Sequence, residues 1–141
     1  MSSVVKLKEI TDYLNQYLGV SNRQICSFIN ITPSALSSQI KSEFREIAKN
    51  KVGRRVAQLY LVVHTFEEQG ISKEAVLELL RIPCFKDLQD NLDSVLSSIQ
   101  QGKYDSPTLI EIGKLGYQEY QRRKSGGDKL FPVIKELMAE I

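Results

Sequence analysis

VSNRQICSFINITPSALSSQIK, residues 20–41, is the stretch that decides the fold. It holds two short apolar runs joined by three or four residues rich in turn and cap signals, the pattern of a helix-turn-helix. Such a unit has three requirements. Apolar side chains must pin the two helices together, and Ile25, Ile29, Ile31 and Leu36 are spaced to do so. A small residue must sit where the helices cross, and Cys26 fits. The turn needs a residue that tolerates left-handed backbone, and Asn30 is the usual choice after glycine. Thr32 and Pro33 then open the second helix as N-cap and first helical residue. That helix would present Ser34, Ser37, Ser38, Gln39 and Lys41 outward. Gln pairs bidentately with adenine, Ser reaches base edges or phosphate, and Lys neutralises phosphate. The alternative is a plain helical hairpin inside a bundle, its serines merely solvated.

Outward from this stretch, helical spacing continues almost throughout. Leu7, Ile10, Leu14, Tyr17 and Leu18 predict a first helix ending at Gly19, and Ser21 caps the next. A helix over roughly 52–69 carries Val52, Val56, Leu59, Tyr60, Val63 and Phe66 and ends at Gly70. Ser72 begins another, terminated by Pro83. Leu88, Leu92, Val95, Leu96 and Ile99 mark one closed by Gly102, and Ser106-Pro107 starts one running to the basic QRRK. Ser-Gly-Gly at 125–127 reads as a linker before a last amphipathic helix, 128–141. Strand-like alternation of useful length is absent. The expected fold is all-α, a helix-turn-helix bundle over residues 1–58 followed by a smaller helical domain over 59–124, then the hinge and helix 125–141.

Charge divides along the same line. Residues 1–58 hold nine Lys or Arg against four acids, and residues 59–141 hold ten against thirteen. A basic N-terminal part suits a nucleic-acid face, and a mildly acidic remainder suits a structural or protein-binding role; chance clustering is the bland reading. KSEFREIAKNKVGRR places Lys49, Lys51, Arg54 and Arg55 around a loop or helix start just beyond the second helix. Lys51, Arg54 and Arg55 are candidate phosphate contacts. Arg23 and Thr32 complete the candidate DNA-binding set with Ser34, Ser37, Ser38, Gln39 and Lys41.

Catalysis finds little foothold in these 141 residues. The single histidine, His64, lies inside LYLVVHTFEEQG, where a half-buried helix position explains it better than a catalytic one. With two scattered cysteines it has none of the ligand spacings of a zinc site, so no metal and no cofactor is expected. Cys26 and Cys84 are flanked by apolar residues and read as buried free thiols. Gly126-Gly127 lacks the Lys-Ser/Thr of a phosphate loop. Glu67/Glu68 and Asp87/Asp90 are read as solvated carboxylates on polar helix faces. No apolar run is long enough for a membrane span or a signal peptide, so a cytoplasmic location is expected.

Residues 21–41 resemble the helix-turn-helix of Xre/Cro-type regulators, which are compact helical bundles. The second half is similar to Xre/ParS-type antitoxins, in which a DNA-binding domain precedes a helical toxin-binding domain. Ala75, Leu79, Leu80, Arg81 and Pro83 match the family's A…WL…P helix, and Val95, Ile99, Gly102 and Tyr104 match its I-x-x-G-x-Y ending. The tryptophan is missing, CFKDLQDN replaces the family's glycine-containing loop, and the chain beyond Tyr104 has no counterpart. The resemblance implies a cytoplasmic, dimeric transcriptional repressor, an antitoxin of a toxin-antitoxin system that neutralises a toxin protein and represses its own operon. The expected partners are therefore double-stranded DNA, a second copy of the chain and a toxin. The alternative is an all-helical protein-protein adaptor that does not bind DNA. The 128–141 helix, with Leu130, Phe131, Ile134, Leu137, Met138 and Ile141, is expected at a dimer or toxin-facing surface rather than on the chain's own core.

Overall fold

The computed structural model describes residues 4–81, 85–86, 92–102, 104–126 and 130–140. Among them the chain is all-α apart from one minimal hairpin. The helices are α1 (Leu7–Leu18), α2 (Asn22–Ile29), α3 (Pro33–Gln39), α4 (Phe44–Ile47), α5 (Lys51–Glu68), α6 (Lys73–Leu79), α7 (Val95–Gln101), α8 (Ser106–Gly126) and α9 (Leu130–Ala139). Strands β1 (Phe85–Lys86) and β2 (Leu92–Asp93) pair antiparallel, Phe85 opposite Asp93 and Lys86 opposite Leu92.

The stop signals in the sequence are used as stops. Gly19, Asn30, Gly70 and Gly102 all take positive φ at helix ends. Ser21, Thr32, Asn50, Ser72 and Ser94 each cap the following helix through the side-chain oxygen. Asp105 does the same for α8, accepting from the Thr108 amide at 2.8 Å, and hydrogen bonds from the Thr108 side chain and amide together hold its carboxyl below the usual range.

Two readings of local structure are corrected. The helix expected from Leu88 begins only at Val95, and Leu92 lies in β2. Leu88 lies outside the described residues. The apolar spacing of Leu92, Val95, Leu96 and Ile99 is helical, but Ser94 has extended backbone and takes the Ser97 amide at 3.2 Å, which starts the helix there. The linker expected at 125–127 does not begin at Ser125, since Ser125 and Gly126 belong to α8; Gly127 lies outside the described residues. Pro83, Cys84, Asp87 and Asp90 lie outside the described residues.

The expected domain boundary at 58–59 falls in the middle of α5, and the core runs straight through it. Leu7, Leu14, Ile25 and Ile29 from the first half are buried in one cluster with Val76, Leu79, Val95, Ile99 and Leu109 from the second. α5 is the central member, packed by α1, α7 and α8. Gly113 lets α8 approach it closely, since a Cβ there would stand 3.2 Å from Val62 and 3.3 Å from Phe66. Gly53 is tighter still. Its absent Cβ would lie 2.0 Å from the Ile47 carbonyl oxygen, so the end of α4 can meet the first turn of α5 only over a glycine. The amides of Leu7 and Lys8, orphaned at the start of α1, donate to the carbonyls of Ser42 and Ile40 at 3.0 and 2.9 Å. The chain leaving α3 is thereby fastened to α1.

Candidate nucleic-acid interface

α2 and α3 form a helix-turn-helix whose turn is Asn30, Ile31 and Thr32. α2 opens with a capping box: the Gln24 amide donates to Ser21 Oγ at 3.2 Å, and the Ser21 amide donates to Gln24 Oε1 at 2.8 Å. It closes at Asn30, φ 54° and ψ 57°, where the Asn30 and Ile31 amides both donate to the Cys26 carbonyl. Ile31 is buried and pulls the turn inward, and Thr32 Oγ1 accepts from the Ala35 amide at 3.1 Å to start α3 with Pro33 in its first turn. Leu36 is buried, and Ala35 and Ile40 pack partly buried against the core. Cys26 stands buried between the two helices, its thiol pushed up by burial.

The outer face of α3 carries Ser34, Ser37 and Ser38, all exposed. Ser38 Oγ donates to the Ala35 carbonyl at 2.9 Å, and Ser34 lies 3.4 Å from Thr32 Oγ1. Ser37 shares with Arg23 a crevice of about 330 Å³ between α2 and α3. Arg23, Thr32, Lys41, Lys49 and Lys51 are exposed.

Three expected contacts differ from expectation. Gln39 is half-buried, and its Oε1 accepts from Asn50 Nδ2 at 2.9 Å, so the amide is already engaged within the fold. Arg55 does not face outward with its donors free. Its Nη1 donates to the carbonyls of Ile29 and Asn30, both at 2.9 Å, and its Nη2 to the Gln100 carbonyl at 2.6 Å. The guanidinium thus joins the C-terminal ends of α2 and α7, where carbonyls without helical partners collect negative potential. Burial, with the adjacent Arg54 charge, pulls its pKa below the ordinary arginine value. Arg54, about 100° around α5 from Arg55, is exposed but points to the other side, against Gly102 at the end of α7. Lys51 lies one turn before Arg55 on the same stripe of α5, follows Asn50, which bridges to Gln39, and is exposed.

Two residues were not singled out from the sequence as part of this site. Asn50 caps α5 through Oδ1 and bridges to Gln39 through Nδ2, tying the end of α3 to the start of α5. Gln100 donates from Nε2 to the Phe28 carbonyl at 2.7 Å, a second clamp from α7 onto the end of α2. The cap position of Asn50 is legible in the sequence, but a bond spanning 72 residues, as Gln100 makes, has no local signal.

His64 is half-buried on α5, stacked on Tyr60 and 3.6 Å from Glu68, in an aromatic group that includes Tyr13 and Tyr17. Glu67 accepts from the Tyr13 hydroxyl, and Tyr17 donates to the Ile71 carbonyl at 2.7 Å. Among the described residues no three His, Cys, Asp or Glu side chains gather as a metal site, and no helix is long and apolar enough to cross a membrane. Ala75, Leu79, Leu80, Val95 and Ile99, which carry the antitoxin resemblance, are all buried, so they pack the core rather than offer a surface. Arg81 lies over the Phe28 ring at 5.2 Å. Compared with known proteins, the chain matches no family model, no curated protein and no solved structure.

Proposed function

We propose that this chain is a double-stranded DNA-binding regulator of transcription that reads the major groove with α3. One observation carries the reading: α2, a left-handed Asn30 and α3 form a helix-turn-helix whose outer face is Ser34, Ser37 and Ser38, small polar side chains that let the helix approach base edges closely. Arg23, Lys41 and Lys51 flank that face as phosphate contacts, with Lys49 adding positive charge. Thr32 and Ser34, at the N-terminal end of α3, stand where recognition helices meet the duplex. Arg55 acts inside the protein, holding the turn, and Gln39 acts by bracing α3 against Asn50. A cytoplasmic repressor that also serves as an antitoxin is the extension of this reading, supported by the order of residues from Ala75 to Tyr104.

The test is duplex binding at a series of salt concentrations. Lys41→Ala and Lys51→Ala should weaken binding to every sequence and lower the slope of log K against log salt by about 0.9 per lost phosphate contact. Ser37→Ala should change preference among sequences and leave that slope alone. A chain that shows no salt-dependent retention on duplex DNA is an adaptor for proteins, and the proposal fails.

A further inference from the structure

We propose that α9 is an exchange arm, which docks in a groove on a second copy of this chain. Two features carry the inference. The first is α9 itself. Residues 133–140 are exposed all round, and Val133, Ile134, Leu137 and Met138 leave 52%, 51%, 51% and 62% of their surface in water. A ten-residue helix is marginal by itself, so this exposed apolar face needs a cover. The second is a groove of about 650 Å³ whose walls include Val5, Ile10 and Tyr13 on the α1 side, Phe44 of α4, and Ala57 and Leu61 of α5.

The chain's own α9 cannot lie in that groove. Ser106, the first residue of α8, lines it, and α8 runs parallel to α5, with Tyr104 bonded to Gln58 and Gly113 against Val62 and Phe66. At about 1.5 Å per residue, the end of α8 at Gly126 lies about 24 Å beyond the level of Leu61. Residues 127–129 span at most about 14 Å fully extended, and α9 adds about 15 Å. A fold-back along α8 would bring only the last turn of α9 to the groove's near edge. A second copy meets no such limit, and two chains exchanging α9 reciprocally form a closed twofold dimer.

Charge and area agree with this occupant. At about 100° per residue, Glu136 and Glu140 border one edge of the apolar stripe on α9. The groove has Arg54 on its α5 wall and Glu9 on its α1 wall. Among the described residues Arg54 forms no ion pair. A groove that wraps half of a helix about 15 Å long and 12 Å across buries roughly 300 Å² on each surface, so two dockings come to about 1,200 Å², the lower end of a stable interface. The inference stands apart from the DNA reading, since it concerns a different face.

The test is the solution mass of the full chain by sedimentation equilibrium, with circular dichroism and urea unfolding as checks on folding. The native chain should be a dimer. Leu137→Glu on the arm and Leu61→Glu on the groove wall should each weaken dimerisation at least 100-fold while remaining folded. An equal mixture of the two variants restores one intact arm on one intact groove, and should associate at least tenfold more tightly than either alone. A monomeric native chain overturns the proposal. So does a Leu61→Glu variant that stays as dimeric as the native chain, because α9 would then be pairing with α9 instead. A mixture no tighter than its components overturns it as well.

Discussion

Arg55 separates two views of the basic segment at the start of α5, and replacing it with Ala tells them apart. On the surface, beside the recognition helix, it would grip phosphate. In the structure its guanidinium makes three bonds to the carbonyls of Ile29, Asn30 and Gln100. Hydrogen bonds from a charged donor contribute about 1.5–3 kcal/mol each when buried. Arg55 is only half-buried, and the Asn30 carbonyl can rehydrate, so the sum is discounted to a loss of about 3 kcal/mol on Arg55→Ala. For a protein of this length that is a substantial fraction of a total stability of about 5–15 kcal/mol, and it should lower Tm by about 6–12 °C. Arg55→Lys keeps the charge but can serve one or two of the three carbonyls, and should recover less than half. The assay is urea unfolding at neutral pH alongside duplex binding across salt concentrations. Since Arg55 touches no phosphate in this reading, the folded variant should keep the native salt slope. If Arg55→Ala left stability within about 0.5 kcal/mol of native and lowered the slope by about 0.9, the side chain would be on DNA and the clamp would be refuted.

Gly53→Ala puts a Cβ 2.0 Å from the Ile47 carbonyl oxygen. Parting α4 from α5 by about 1 Å should cost about 2–4 kcal/mol net of the ~1 kcal/mol that alanine gains in a helix. Gly113→Ala meets only the ends of the Val62 and Phe66 side chains, which can give, so it should stay within about 1 kcal/mol of native; equal urea midpoints for the two variants would contradict the packing. Burial and the bond to Glu67 raise the Tyr13 pKa in the folded state. Its contribution is therefore complete below the unfolded value of about 10 and is lost as pH rises above it. Tyr13→Phe should accordingly show a shallower loss of stability than the native chain between about pH 10 and 11.5, and an equally steep decline would remove Tyr13 from alkaline unfolding.

Local chemistry made much of the fold readable from the sequence alone. Gly19, Asn30, Gly70 and Gly102 end helices because they tolerate positive φ, and Ser21, Thr32 and Ser72 begin them because a short oxygen reaches the orphan amides. These are interactions within four residues, so they are written in the order of the chain. Apolar periodicity marked the inner faces for the same reason, and it placed Leu36 inward and Ser34, Ser37 and Ser38 outward. It failed at Leu92, where helical spacing continued but Ser94 started the helix afresh. What only tertiary structure decided is the direction in which equivalent side chains are spent. Lys51, Arg54 and Arg55 look alike in the sequence, yet one stays exposed, one turns to Gly102, and one is consumed by carbonyls of α2 and α7. A long cationic side chain reaches whatever acceptors folding brings within its radius, and those acceptors come from residues 25–45 positions away. The single core has the same origin: composition divides the chain near residue 58, but α5 buries apolar residues toward both halves, so the division of charge is not a division of the fold.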